Sequence, residues 1–340
     1  MTRPEFKETD IKGLEVFANP YDLRRDLHAF SHYISENDIK RGHRDNSLPK
    51  AHLKRIAKIM SDASLVREVE EGAYPHWIDF IDSLSLKLDF VDYDIEGEYM
   101  GYTSHSKSFP DNYMEFSQKT YDHFMKRSLQ DQEDEILTTL IDDAAPCDNE
   151  FFTHGPLCFL NRFDSSGCAT GTMKHIRFPE IRRYLFKLLS DCRAGVWYGT
   201  SSLIEYIKDN NPFFLVPIKL PKMEFTRYEN DRYHNFTERN PDERWGKSWA
   251  VGKLKDRFER VEGRFIERFL ERIPLQMGYV EVAYSDEKDE CHPSMNKLRA
   301  FRITDRLLNA MNESIKEPEI TVLPNYEIHI DSMFYPARSW

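Results

Sequence analysis

Apolar residues recur at three- and four-residue steps along most of this chain, and this spacing restricts its fold more than any other feature. Such spacing is typical of amphipathic helices that bury one face. It predicts helices in the segments 23–34, 53–60, 77–88, 116–140, 178–189, 201–210 and 258–273, with a break between Asp131 and Glu135 in the fourth. Residues 278–284 and the stretch from Ala300 onwards predict strands. We therefore expect an α+β fold that is predominantly helical.

The 340 residues are enough for two or three folding units. We expect an N-terminal helical unit at 1–150, which contains a basic segment, 40–58. A middle unit at 151–221 has a helix, a short connection and a second helix. A third unit at 222–340 begins with a polar connection and continues as helix, strand, loop and strand, which is the pattern of a winged helix. The sequence thus predicts more than one winged-helix-like unit.

Several functional classes are disfavoured by what the sequence lacks. It contains neither GxGxxG nor GxxxxGK[ST], so a Rossmann dehydrogenase or a P-loop ATPase is not expected. The formal net charge of -11 argues against a protein that coats nucleic acid with its whole surface. The longest apolar run, Phe213 to Ile218, is too short for a membrane span. The five cysteines form no CxxC pair, so we expect reduced thiols and a cytoplasmic protein.

Three segments carry a likeness to a known family: RVEGRFIERFLERIPLQMGYVEVAY (260–284), AFRITDRLLNAM (300–311) and ITVLPNYEIHI (320–330). They resemble the winged-helix region of prokaryotic XPB-type helicase-associated proteins, and residues 178–215 are similar to the middle part of such proteins. Asp305, Arg306 and Leu323 depart from the usual pattern. The resemblance implies successive winged-helix units and an accessory role beside a separately encoded helicase or nuclease, in defence against foreign DNA.

The strongest candidate for DNA contact is the basic segment 40–58, which has a single acid, Asp45. Its basic residues are Lys40, Arg41, Arg44, Lys50, Lys54, Arg55 and Lys58. The spacing permits the last four to share one helical face and to follow phosphates. The alternative is a solvated face that pairs with the acidic segment 62–98, which has eleven Asp or Glu against two basic residues. Both interpretations remain open from the sequence.

A second set of candidates lies in the middle unit and contains Lys174, Arg177, Arg182 and Arg183. A winged helix inserts its second helix into the major groove, while its hairpin contacts phosphates. The expected recognition helix, 201–210, is nearly neutral, and the hairpin tip at 286–290 carries four acids around Lys288. We therefore expect the hairpin to face protein and not DNA.

No catalytic residue, metal or cofactor is predicted. Zinc-competent residues occur at Cys147, His154, Cys158, Cys168 and His175, but their separations match no usual zinc pattern. The favoured interpretation is a non-catalytic subunit, either DNA-binding or an adaptor, that assists a separately encoded helicase or nuclease. A protein-interaction scaffold without nucleic-acid contact is the first alternative, and the net charge of -11 favours it. A metal-dependent enzyme that uses acids between Asp131 and Asp143 is the second.

Overall fold

The computed structural model describes residues 4–99, 107–143, 149–152, 155–163, 170–173, 175–218, 232–233, 236–239, 248–287, 292–317, 319–322 and 328–331. They belong to two units. The main unit contains residues 1–19 and 140–340, and the inserted unit contains residues 20–139. The predicted units at 151–221 and 222–340 therefore lie in one unit, which also takes in the first 19 residues.

The elements of the first 142 residues are β1 (Glu15–Phe17), α1 (Leu23–Glu36), α2 (Lys50–Ile59), α3 (Ser64–Glu70), α4 (His76–Lys87), β2 (Val91–Asp92), β3 (Glu98–Tyr99), β4 (Lys107–Ser108), β5 (Glu115–Phe116), α5 (Gln118–Met125) and α6 (Leu129–Asp142). The later elements are α7 (Thr170–Met173), α8 (Phe178–Ser190), β6 (Trp197–Gly199), α9 (Thr200–Asn210), β7 (Thr237–Arg239), β8 (Ser248–Ala250), α10 (Arg264–Glu271), α11 (Ile273–Gln276), β9 (Val280–Tyr284), β10 (Leu298–Ile303), α12 (Asp305–Met311), β11 (Glu319–Val322) and β12 (Ile328–Asp331). A 3-10 turn, Val251–Lys253, follows β8, and a π-helical turn, Glu259–Gly263, precedes α10.

Helical residues far outnumber strand residues in the described chain, so the predicted α+β, predominantly helical class is confirmed. One predicted boundary was wrong. The break in segment 116–140 lies between α5 and α6, before the acids and not among them. The side chain of Ser128 accepts a hydrogen bond from the backbone N–H of Asp131 at 3.1 Å and so caps α6. Acidic residues at the start of α6 then stabilise the helix, because negative charge interacts favourably with the N-terminal end of the helix dipole.

The inserted unit is built around α1, whose apolar face contacts α2 and α4. Leu27 and Phe30 of α1 are fully buried, as are Ile78 and Ile81 of α4. A buried carboxylate, Asp26, joins these helices by accepting three hydrogen bonds. Its donors are the backbone N–H of Ser61 at 2.6 Å, the hydroxyl of Ser61 at 2.8 Å and the indole N–H of Trp77 at 2.7 Å.

The main unit contains a four-stranded antiparallel sheet with the strand order β1-β9-β10-β6. Phe301 of β10 lies opposite Val282 of β9 and opposite Tyr198 of β6. Helices α8 and α9 flank β6, and β9 follows α10 and α11, which come after the β7–β8 pair. Strand β10 lies between β6 and β9 in the sheet. The predicted middle and third units thus contribute to the same sheet.

The N-terminal segment forms hydrogen bonds with two strands of this sheet, β6 and β9. Its first part contacts β6: Thr9 N–H donates to Trp197 O, and Gly199 N–H donates to Lys7 O, both at 3.0 Å. Its second part is β1, which pairs with β9. The side chain of Asn19 then donates to Gln276 O at 2.7 Å. The N-terminal segment therefore contacts both β6 and β9, and β1 becomes the outer strand of the sheet beside β9.

Candidate nucleic-acid interface

Helix α2 separates the apolar and basic residues of the predicted DNA-contact segment onto opposite sides. Leu53, Ile56 and Ala57 are buried in the inserted unit. The exposed basic residues, here named the α2 row, are Lys50, Lys54, Arg55 and Lys58. Steps of four residues place three of them in one line. At 1.5 Å of rise per residue, that line is about 12 Å long.

Within the described residues, no acidic side chain forms an ion pair with the α2 row. Two of the three basic residues that precede the row in this segment do have such partners. Lys40 pairs with Asp111 at 2.6 Å, and Arg41 pairs with Asp82 at 2.8 Å. Pairing of the basic segment with the acidic segment 62–98 is thus seen at Arg41, whereas the α2 row keeps its positive charge available for an external anion.

The first turn of α2 is electrostatically unfavourable for the helix. It has no acidic residue, no side-chain cap, and a lysine at its first position, Lys50. The N-terminal end of a helix carries partial positive charge, so a cation there costs about 0.3–1 kcal/mol. Sequences that break a local stability rule without an evident structural gain often do so at functional sites.

Arg41 was predicted to contact nucleic acid, and the structure shows that it does not face solvent. Its side chain is buried, and its Nη1 donates to Asp82 Oδ2 at 2.8 Å while its Nε donates to Asn46 O at 2.8 Å. The guanidinium lies 3.9 Å from the centre of the Tyr93 ring. Arg41 therefore fixes the loop that leads into α2. Of the other candidates in this loop, Arg44 is exposed, and Lys40 is held by Asp111.

The three described candidates of the middle unit do not form a free basic face. Arg182 is fully buried and cannot contact a phosphate. Arg183 forms an ion pair with Asp142, and Arg177 pairs with Glu180 at 3.1 Å. Lys174 lies outside the described residues. The prediction of a DNA-binding surface here was wrong for Arg182, because an acid distant in sequence lies beside it in the fold.

Arg182 has an extensive set of partners within the main unit. Its Nε and Nη2 donate to the two oxygens of Glu150 at 2.7 and 3.0 Å. Its Nη1 donates to Ile141 O at 2.9 Å and to Asp143 O at 2.5 Å, beside Leu140 O. Both side chains of the Arg182–Glu150 pair are fully buried. Through its bonds to the carbonyls of Ile141 and Asp143, Arg182 joins α8 to the end of α6.

Helix α10, which comes before the β9–β10 hairpin, is buried along its whole length. Two segments cover it. In the segment 155–163, the N–H groups of Phe159 and Leu160 donate to Glu271 at 3.0 and 3.1 Å. On the other side, Glu238 of β7 accepts hydrogen bonds from Arg264 at 2.6 Å and from Arg260 at 2.5 Å. No side chain of α10 is therefore available to a base edge.

Helix α9, the predicted recognition helix, and the hairpin between β9 and β10 also have partners within the main unit. Lys208 of α9 pairs with Glu259 at 2.5 Å. In the hairpin between β9 and β10, Ser294 donates to Asn161 through its N–H and its hydroxyl, and Glu287 pairs with Arg299. Residues 288–290 of the predicted acidic tip lie outside the described residues. The described parts of α9, α10 and the β9–β10 hairpin thus offer no basic surface comparable with the α2 row.

Two buried acids near the π-helical turn make the stability of the main unit sensitive to pH. Burial raises the pKa of Glu262 to about 8 and that of Glu267 to about 7. Both values lie above the ordinary glutamate value of 4.5, so the stability that protonation provides is full below about pH 4.5 and is lost as the pH rises to about 7 for Glu267 and about 8 for Glu262.

We therefore expect the contribution of these two groups to the free energy of unfolding of the main unit to fall between about pH 4.5 and about pH 8 and to level off above that. Proteolysis in urea, with main-unit fragments followed by mass spectrometry, measures it. The double variant Glu262→Gln, Glu267→Gln removes both titrating groups and should flatten the dependence. An equally steep dependence in this variant would contradict the assignment.

The other sequence candidates do not assemble into a site within the described residues. No group of three or more His, Cys, Asp or Glu side chains is placed there to hold a metal ion. Of the zinc-competent residues, Cys147, His154 and Cys168 lie outside the described part. The acids of α6 are engaged separately: Glu133 pairs with Arg24, Glu135 with Arg127 and Asp142 with Arg183. No helix among the described residues has the length and apolarity to cross a bilayer.

Sequence reasoning missed the buried charges of α10. Arg264, Glu267, Arg268 and Glu271 alternate in sign, a pattern typical of an exposed helix, yet all four are buried. A signal was present in the apolar residues between them, since Phe265, Ile266, Phe269 and Leu270 leave no wide polar face.

Neither a protein-family model nor a curated protein nor a solved structure matches the chain.

Proposed function

We infer that the protein is a non-catalytic accessory protein that binds the phosphate backbone of DNA through the α2 row. One observation carries this proposal: four exposed cations lie on one helix face and have no acidic partner among the described residues, in a chain of net charge -11. The resemblance of residues 260–330 adds the expectation that a separately encoded helicase or nuclease is the partner.

The chemistry of the α2 row supports contact with the backbone and not with bases. Lysine and arginine neutralise phosphates without reading sequence when they lie along the backbone. Its length of about 12 Å matches three to four phosphates of one strand, at about 3.4 Å of helix axis each. The burial of α10 removes the usual source of base readout. The proposed binding is therefore independent of sequence and sensitive to salt.

Neutralising the α2 row tests the proposal. In the variant Lys50→Gln, Lys54→Gln, Arg55→Gln, Lys58→Gln, we expect affinity for duplex DNA to fall by about 30-fold and the slope of log K against log salt to lose about 3 to 4 units. Glutamine keeps helix propensity close to that of lysine and arginine. Fluorescence anisotropy with a labelled duplex at several salt concentrations measures both quantities.

A matched control removes four cations that already have acidic partners in the main unit. Lys7 pairs with Glu205, Arg193 with Glu8, Lys208 with Glu259 and Arg299 with Glu287. Changing these four to glutamine alters the net charge equally, and DNA affinity should stay within about twofold of wild type. Equal losses in both variants would show that only overall charge matters. Absence of DNA binding by the wild type at low salt would favour the scaffold alternative.

A further inference from the structure

A cavity of about 420 Å³ lies in the main unit between the first half of α8 and the segment that follows α9. Cavities of about 300–1,000 Å³ are the usual size for small-molecule sites. None of the residues in the α2 row lines it. The cavity is therefore a candidate binding site that is separate from the proposed DNA contact.

One part of the cavity wall is aromatic. Tyr184, Phe213 and Phe214 line it, beside the apolar side chain of Ile181. The rings of Tyr184 and Phe214 lie 5.9 Å apart at an angle of 44°. Phe213 is 44% exposed, and the guanidinium of Arg232 lies 4.8 Å from its ring on the part of the chain that the structure describes. Exposed and orientated aromatic rings provide stacking surfaces for planar ligands.

The other part of the wall is polar and offers both donors and acceptors. Arg177 and Glu180 form an ion pair of 3.1 Å, and their side chains are 76% and 64% exposed. Because an exposed ion pair contributes little to stability, the guanidinium of Arg177 can turn towards an anionic ligand at little cost. Asn211 and His175 also line the cavity, and His175 Nε2 has no hydrogen-bond partner among the described residues.

We propose that this cavity binds a nucleoside phosphate, with the base against the aromatic wall and the phosphate on Arg177. A planar base fits the rings, its edge presents both donors and acceptors to Asn211 and Glu180, and arginine matches the geometry of a phosphate. The same chemistry is offered by a free mononucleotide and by the phosphorylated end of a nucleic-acid strand. The experiment distinguishes these two sources.

The test is titration of the full-length protein with 5′-mononucleotides by calorimetry. We expect saturable binding, weakened about tenfold by Arg177→Gln and about tenfold by Phe213→Ala. The matched controls are Arg193→Gln, at an exposed arginine paired with Glu8, and Tyr99→Ala, at a ring that is 68% exposed in the inserted unit. Both controls should bind as the wild type does. Binding that none of the four changes affects would overturn the proposal.

A second arm uses single-stranded oligonucleotides with and without a 5′-phosphate, in the variant whose α2 row is neutralised. Preference for the phosphorylated strand, lost in Arg177→Gln, assigns the site to strand ends. Saturation by mononucleotides alone assigns it to free nucleotides. Equal binding of a nucleoside and its phosphate, or no binding of any of these ligands, would overturn the site. Because the α2 row is absent from this arm, its outcome is independent of the proposed backbone contact.

Discussion

Replacing Arg182 with methionine is expected to lower the free energy of unfolding of the main unit by about 3–5 kcal/mol. The change leaves the carboxylate of Glu150 buried without its ionic partner. It also removes the donor to the backbone carbonyls of Ile141 and Asp143 at the end of α6. A buried charge that loses its partner costs much more than the pair contributes, because the carboxylate remains out of water.

Urea titration with proteolysis, which resolves fragments of the main unit, measures this loss. The neighbouring change Arg183→Met serves as a control, since the Arg183–Asp142 pair is about half exposed and its removal should cost less than about 1 kcal/mol. Adding Glu150→Gln to Arg182→Met should recover part of the stability, because the unpaired charge is then gone. Similar losses in Arg182→Met and Arg183→Met would contradict the structural role of the buried pair.

Replacing Asp26 with asparagine should destabilise the inserted unit by about 3 kcal/mol. Three donors point at this carboxylate, from Ser61 twice and from Trp77 once. Burial raises the pKa of Asp26 to about 6, so the group is ionised at neutral pH and accepts from all three. Asparagine has one acceptor oxygen, and its amide N–H group would face a donor.

The same substitution four residues earlier provides the control. Asp22 caps α1 by accepting a hydrogen bond from the N–H of Arg25 at 3.0 Å. Asparagine is as good a cap as aspartate, so Asp22→Asn should change stability by only a few tenths of a kcal/mol. Hydrogen exchange in α1 and α4 reports the inserted unit in both variants. A loss in Asp26→Asn no larger than in Asp22→Asn would rule out the proposed role of the buried carboxylate.

The elements that could be predicted are those whose signal is local. The helical spacing of α1, α4 and α8 is carried by neighbouring residues, and so is the basic face of α2. The joining of the two predicted winged-helix-like units was not predictable in this way. It depends on β6, three residues long, which pairs with β10 about one hundred positions later.

The predicted DNA-contact residues also differ in whether their surroundings are determined by local sequence or by long-range packing. Lys50, Lys54 and Lys58 are exposed, as their spacing indicates. Arg41 and Arg182 look equally basic in the sequence, yet each lies beside an acid from another element, Asp82 or Glu150. Burial of a long-range partner depends on tertiary packing, which a single sequence does not reveal. The cavity beside α8 also depends on packing, since its lining comes from segments on both sides of α9.

The position of the first strand has a consequence for biosynthesis. The stretch 7–17 finds its hydrogen-bonding partners in β6 and β9, and the latter is translated more than 260 residues later. The inserted unit is contiguous in sequence and can form on the ribosome as soon as it emerges. During that interval, β1 of the nascent chain has no strand with which to pair. Chaperones that shield extended polypeptide would therefore be expected to act on it before release.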